Sequence, residues 1–291
     1  MHMKNRTVNR LLYADIVDMG GMSVRQPFPT QQVAQIDPFL LLHHHESKLP
    51  EGAVPHRSGV DPHPHRGFSP VTFVYKGGVH HRDSRGNNSV VYAGGTQWMN
   101  AGMGVVHSER PPADIQERGG VQEIVQLWVN LPKAHKMNQP QYIPLQAEDT
   151  PVLQLDGGRI RVRVVTGTFE EVNGPIKTLT PILALRVEME AGTTYAFPVP
   201  AHYNAFLYLL DGSVQLEGYG PIEGHHLALL NQNGEGCTIT ARERTRLLLL
   251  AGEPLQEPVA SHGPFVMNTQ SEILQAMRDY QQGKMGMLIE D

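Results

Sequence analysis

The sequence predicts an all-β chain built as two tandem antiparallel β-barrels with a short helix near its C-terminal end. Three observations carry that expectation: short apolar runs closed by turn residues, a weak internal repeat, and helical periodicity confined to one place. Glycine and proline number 29 and 22 among 291 residues, and with Asn and Asp they bound most of the apolar runs. These runs include Val71 to Tyr75, Ile124 to Val129, Ile160 to Val165, Ile182 to Val187, Ala205 to Leu210 and Arg246 to Leu250. Apolar runs of this length between turn residues are the pattern of short antiparallel strands.

The repeat is seen by setting His65 to Val79 beside the segment that begins at Pro200-Ala201-His202. In both, a His leads into an apolar strand, then a Gly turn, then a strand restarting with Val (Val79 and Val214). A hairpin match of this kind is ambiguous alone, but two similar barrels account for both the length and the pattern. The expected linker is Asn138 to Pro151, with Pro140, Pro144 and Pro151 among polar residues. The expected division is therefore residues 1–140 as a first barrel and 141–291 as a second barrel plus the helix. That helix is read over Ser271 to Gln281, capped by Asn268-Thr269, with Ile273, Leu274, Met277 and Tyr280 on one stripe.

Composition bounds the function. Hydrophobic residues make up 40% and charged residues 18%, enough for a packed core. No uninterrupted apolar run of about 18 residues occurs, so no membrane span is expected. Met1 to Met22 lacks the apolar stretch of a secretion signal, and the single cysteine, Cys237, fits a reducing cytoplasm. A formal charge of −5 argues against direct nucleic-acid binding, which needs a basic face, and leaves a protein partner open.

The 15 histidines matter through their positions. In Asp61-Pro62-His63-Pro64-His65-Arg66-Gly67 two histidines stand two apart, so on a strand both imidazoles point to one face. In Gly102-Met103-Gly104-Val105-Val106-His107-Ser108-Glu109, His107 and Glu109 again share a face. Read alone, His63 and His65 could equally be an exposed loop pair. Two such strands brought together place three imidazoles and one carboxylate around a single ion. Nitrogen and oxygen donors of this kind suit Fe(II), Mn(II), Ni(II), Cu(II), Co(II) or Zn(II). Four protein ligands leave positions open for a small molecule, and Glu109 is the ligand best able to double as a catalytic base.

At these residues the chain resembles the pirin family. The resemblance lies in Asp37-Pro38-Phe39-Leu40, Pro62-His63-Pro64-His65-Arg66-Gly67-Phe68, Gln97-Trp98-Met99, Gly102 to Glu109 and Gln126-Leu127-Trp128-Val129-Asn130-Leu131. It is specific over Asp37 to Leu145 and general beyond. It implies a bicupin, two jelly-roll barrels of which the first holds a metal, most often iron, through His63, His65, His107 and Glu109. It further implies a quercetin 2,3-dioxygenase-type reaction, in which a flavonol ring is opened with O2 and carbon monoxide is released. The alternative within the family is a metal- or redox-sensing regulator, without turnover, that binds a transcription factor or metabolic enzyme.

Two departures from the family pattern stand out. Ser69 replaces the Glu common four positions after the second His, at a position expected to face the barrel interior without ligating. His202 has no His two residues before it and Cys237 to Leu250 holds none, so the second barrel is expected to be metal-free. Several other residues carry weaker expectations. His43-His44-His45, His80-His81 and His225-His226 are read as surface groups, with His80 or Asp83 able to reach a pocket rim. Cys237 is read as a small core residue. Gln126 and Trp128 share a face, and either register is open.

Overall fold

The computed structural model describes residues 3–52 and 58–290. Strands dominate it, and the expected turns connect them. At Gly77 the backbone takes φ 72° between the strands Phe68–Lys76 and Gly78–Asp83, where a Cβ would lie 2.8 Å from the Val121 carbonyl oxygen. Only glycine meets both conditions without strain.

Each of the two compact units is assembled from separate stretches of chain: Met1–Pro38 with Asp149–Pro254, and Phe39–Glu148 with Leu255–Asp291. The expected division at 140/141 is corrected by this exchange of ends. The first strand, Val8–Tyr13, pairs antiparallel with His226–Leu230 and so belongs with the later half of the chain. The C-terminal segment packs with the earlier half, where Phe265, Met267, Ile273, Ala276 and Met285 form one apolar cluster with Val106. Strand periodicity tells which face of a strand is buried but not which edge it joins, so the sequence could not reveal the exchange.

The unit containing Asp149–Pro254 has a seven-stranded sheet ordered Val8–Tyr13, His226–Leu230, Asn204–Asp211, Thr245–Gly252, Ile182–Met189, Ile160–Thr166 and Val152–Leu155. A second sheet of four strands accompanies it, and the core is apolar, with Leu185, Leu207, Leu247, Phe197 and Ile239 among its members. Cys237 sits in this core, where burial pushes its thiol up to about 12, so it is a small apolar packing group as expected.

The other unit places five strands in the order Gln141–Leu145, Thr96–Asn100, Phe68–Lys76, Gly120–Asn130 and Phe39–Leu49. A four-stranded sheet, ordered Val60–His65, Val105–Arg110, Gly78–Asp83 and Asn88–Tyr92, packs on it. The two are separate sheets of a jelly-roll sandwich and not a hydrogen-bonded closed cylinder, which is how the cupin type of barrel is realised here.

The helix spans Gln270–Gln281, with Thr269 and Glu272 forming a reciprocal capping box. Its buried face is Ile273, Ala276 and Asp279, whereas Leu274 and Tyr280 are exposed, so the predicted apolar stripe is corrected by rotation. The reason is Asp279. It accepts from Arg66 Nη1 at 2.9 Å, from Lys284 Nζ at 2.9 Å and from Gln275 Nε2 at 2.8 Å, which draws this polar residue inward. No helix among the described residues is long and apolar enough to cross a membrane.

Lys284 leads the groups that hold the Asp279 carboxyl down at about 2; burial opposes it, and Gln275 and Arg66 add to the lowering. The stabilisation is fully present above the unfolded value of about 4 and is lost as pH falls through about 2. Urea titrations between pH 5 and 3 should show the wild type losing more stability than Asp279→Asn, which should be less stable at pH 5. Equal pH slopes would contradict this.

Candidate metal centre

Alternation along the strand Val60–His65 sends His63 and His65 to one face. The neighbouring strand Val105–Arg110 runs antiparallel, with His107 opposite His63 and Val105 opposite His65. One donor nitrogen from each of His63, His65 and His107 therefore lies within 4.8 Å of the other two. The Nε2 atoms of His63 and His65 are 3.0 Å apart, a spacing that a shared proton or a shared ion fits.

The ring chemistry points the same way. His63 Nδ1 is 2.8 Å from the Asp61 carbonyl oxygen, which can only accept, so that nitrogen carries a proton and Nε2 is the atom turned to His65. His107 Nε2 is buried and has no hydrogen-bond partner. A buried nitrogen without a partner, facing two other imidazoles, is what a cation would satisfy. Burial, reinforced by the neighbouring His63, pushes His65 and His107 well below their ordinary values, so both are neutral, the form that donates to a metal.

Glu109 stands outside this trio. The pairing with Val60–His65 shifts register between His107 and Glu109, with the extra residue on Val60–His65, so Glu109 lies opposite Val60 while keeping the face of His107. Its carboxylate is instead held by the strands Phe68–Lys76, Thr96–Asn100 and Gly120–Asn130. Oε1 accepts from Thr72 Oγ1 at 3.1 Å and from Gln97 Nε2, and Oε2 accepts from Gln126 Nε2 at 2.9 Å. The four residues expected around one point thus divide into three converging imidazoles and one carboxylate held by two amides and a hydroxyl.

The face of Gln126 and Trp128 is also settled: both look into the site. Trp128 meets His65 edge-on at 5.5 Å and packs on Phe68 at 4.3 Å. His63, Gln126 and Trp128 are the partly exposed members, so they mark the open side, while His65, His107 and Glu109 lie deeper.

Several expectations require correction. His81 and Asp83 are buried and not on the surface: His81 Nδ1 is 3.3 Å from His107 Nδ1, and His81 Nε2 is 3.0 Å from Asp83 Oδ2. His80, on the other face of the same strand, bonds Asn88 Oδ1 at 2.6 Å. His43 and His44 are buried; His44 Nε2 is 3.3 Å from Glu123 Oε1, and burial lowers His43 to about 4. His225 and His226 are half-buried, with the His226 ring 5.1 Å from Tyr13. Ser69 donates to Asn100 Oδ1 at 2.7 Å, and it lies on the sheet face opposite Thr72, so the family departure does not alter this site.

Thr72, Gln97 and Tyr142 were not singled out as site residues in the sequence. Tyr142 donates to Gln97 Oε1 at 3.3 Å, which turns the Gln97 amide nitrogen toward Glu109. Thr72 and Gln97 meet as cross-strand neighbours, a pairing that no spacing along the chain announces.

Comparison with known proteins bears on this arrangement. Residues 21–129 match the pirin domain, and residues 184–286 match the pirin C-terminal cupin domain. A pirin-like protein 2 of Arabidopsis thaliana is 34% identical, with 97% of this chain and 86% of that protein covered. The chain belongs to the pirin family. Human pirin is 36% identical over 91% of this chain and 89% of its own length. The crystal structure of a quercetin 2,3-dioxygenase from Acinetobacter baumannii superposes with a TM-score of 0.92 at 34% identity, covering 99% of this chain and all of that one. Both named kinds of pirin relative are therefore about equally similar.

Gly67 joins the His65 end of the site to the core strand Phe68–Lys76 at φ 85°, with the Val266 carbonyl oxygen 1.9 Å from where a Cβ would stand. Gly67→Ala should cost about 2–4 kcal/mol in chemical denaturation, because a rigid backbone must shift. A loss below about 0.5 kcal/mol, the size of an ordinary surface change, would contradict this placement.

Proposed function

We propose that this pirin is a divalent-metal dioxygenase of the quercetin 2,3-dioxygenase type, with iron(II) as the leading metal. The observation that carries the reading is the convergence of three imidazoles beside a carboxylate held by amide donors. The similarity to a solved quercetin 2,3-dioxygenase supports the substrate class, a flavonol or related enol or phenol.

His63, His65 and His107 would hold the metal through ring nitrogens, with Glu109 as the carboxylate that serves as fourth donor or takes the substrate's proton. A divalent ion bound there supplies Lewis acidity toward an anionic oxygen and a redox partner for dioxygen. The chain's own residues do the rest. A flavonol entering on the open side would lie against Trp128, whose aromatic ring offers a flat apolar wall. Its acidic hydroxyl would transfer a proton to Glu109. Thr72, Gln97 and Gln126 hold that carboxylate in one orientation. Removing the proton leaves an electron-rich ring carbon open to dioxygen. Both oxygen atoms enter the product, carbon monoxide leaves, and the proton returns from Glu109.

The test is quercetin turnover with carbon monoxide detection after anaerobic loading with Fe(II), Mn(II), Ni(II) or Cu(II). Glu109→Gln should lower turnover about 10²- to 10⁴-fold, and His63→Ala should abolish metal retention and turnover together. Undiminished turnover in Glu109→Gln would remove the base. Metal binding without turnover of any flavonol would favour a regulator that senses metal oxidation state and acts on a protein partner.

A further inference from the structure

We infer that Asp83 and His81 form a two-residue relay that fixes the proton of His107 on Nδ1, leaving Nε2 free to bind a divalent cation. The inference rests on the metal-binding reading above and assigns positioning roles to two residues outside the ligand set.

The argument begins at the Asp83 carboxylate. Oδ1 accepts from the backbone N–H of Arg85 at 2.9 Å and of Asn87 at 3.0 Å. Oδ2 accepts from Asn87 Nδ2 at 2.8 Å and faces His81 Nε2 at 3.0 Å. Donors already surround both oxygens, so the carboxylate is an acceptor and His81 Nε2 is the donor. Burial works against this charge, but the bonds from His81, Asn87 and Arg85 outweigh it and hold Asp83 below its ordinary value.

Two ring nitrogens 3.3 Å apart need one proton between them, so of the facing Nδ1 atoms of His81 and His107 one donates and the other accepts. An N–H on His107 Nε2 would be buried with no acceptor, so the His107 proton sits on Nδ1 and His81 Nδ1 accepts it. The lone pair of His107 is then on Nε2, the buried atom that has no hydrogen-bond partner.

The relay is held in place from two directions. His107 lies directly opposite Asp83 in the antiparallel pairing of Val105–Arg110 with Gly78–Asp83, so one register brings the three residues together. The Tyr142 ring stacks on His81 at 3.8 Å with an interplanar angle of 7°, which keeps the imidazole in the plane the relay needs. Carboxylates or carbonyls behind a ligating imidazole set its tautomer and its basicity. Here a second imidazole is interposed.

The test uses metal-free protein carrying ¹⁵N-labelled histidine, with long-range ¹H–¹⁵N spectra to assign tautomers, and a chelator-competition titration with Zn(II). In the wild type His107 should be protonated on Nδ1. Asp83→Asn should weaken Zn(II) binding about 10- to 100-fold and convert His107 to a mixture of tautomers. His81→Asn, whose side-chain oxygen can stand where Nδ1 stood, should keep the Nδ1–H form, while His81→Leu should lose it. A wild-type His107 protonated on Nε2 would overturn the relay, as would Asp83→Asn with unchanged tautomer and affinity. If Asp83→Asn does not fold, the wild-type spectrum and the His81 pair still decide. The spectra are read without metal and Zn(II) is redox-inert, so failure to turn over a flavonol is a separate result.

Discussion

Neutral imidazoles buried between two sheets are the constraint on which the metal-centre unit depends. A neutral imidazole has one N–H and one lone pair, and neither can be left in a dry interior without cost. His107 meets the requirement through His81, and His63, on the open side, bonds the Asp61 carbonyl. The inward-facing nitrogens are left to one another, at a spacing suited to a cation. Around them the fold supplies donors for the one carboxylate, so Glu109 is fixed by Thr72, Gln97 and Gln126. The strand Val105–Arg110 serves both surfaces: His107 and Glu109 point inward, while Ser108 and Arg110 bond Glu290 on the other face.

The His63/His65 pair was legible because it obeys the two-residue period of a strand, and the same period flagged His107. It also put Glu109 on the face of His107, but it could not show that Thr72, Gln97 and Gln126 would hold that carboxylate. The relay was illegible for a different reason. His81 and Asp83 also stand two apart, but after a hairpin turn nothing in the sequence says which face is covered. Only the pairing with Val105–Arg110 shows that this face is the buried one. His43 and His44 were misread as solvated because a polar run resembles a strand end, whereas here it lies within the eleven-residue strand Phe39–Leu49.

At the level of the fold, strand content, the paired architecture and the capped helix all follow from local chemistry. The exchange of chain ends between the units does not, since edge pairing and the Arg66–Asp279 ion pair join residues more than two hundred positions apart. The contrast between the two units is likewise a matter of what fills them. One is packed with Leu, Val, Ile and Phe around Cys237, and the other gathers its imidazoles and amides between its sheets. The two units thus share an architecture and differ in what fills it.

The most direct test of the central claim is an anaerobic crystal structure of the Fe(II)-loaded protein with data collected at the iron absorption edge. The account predicts one anomalous peak enclosed by His63, His65 and His107. A peak elsewhere, or none among these three imidazoles, would contradict it.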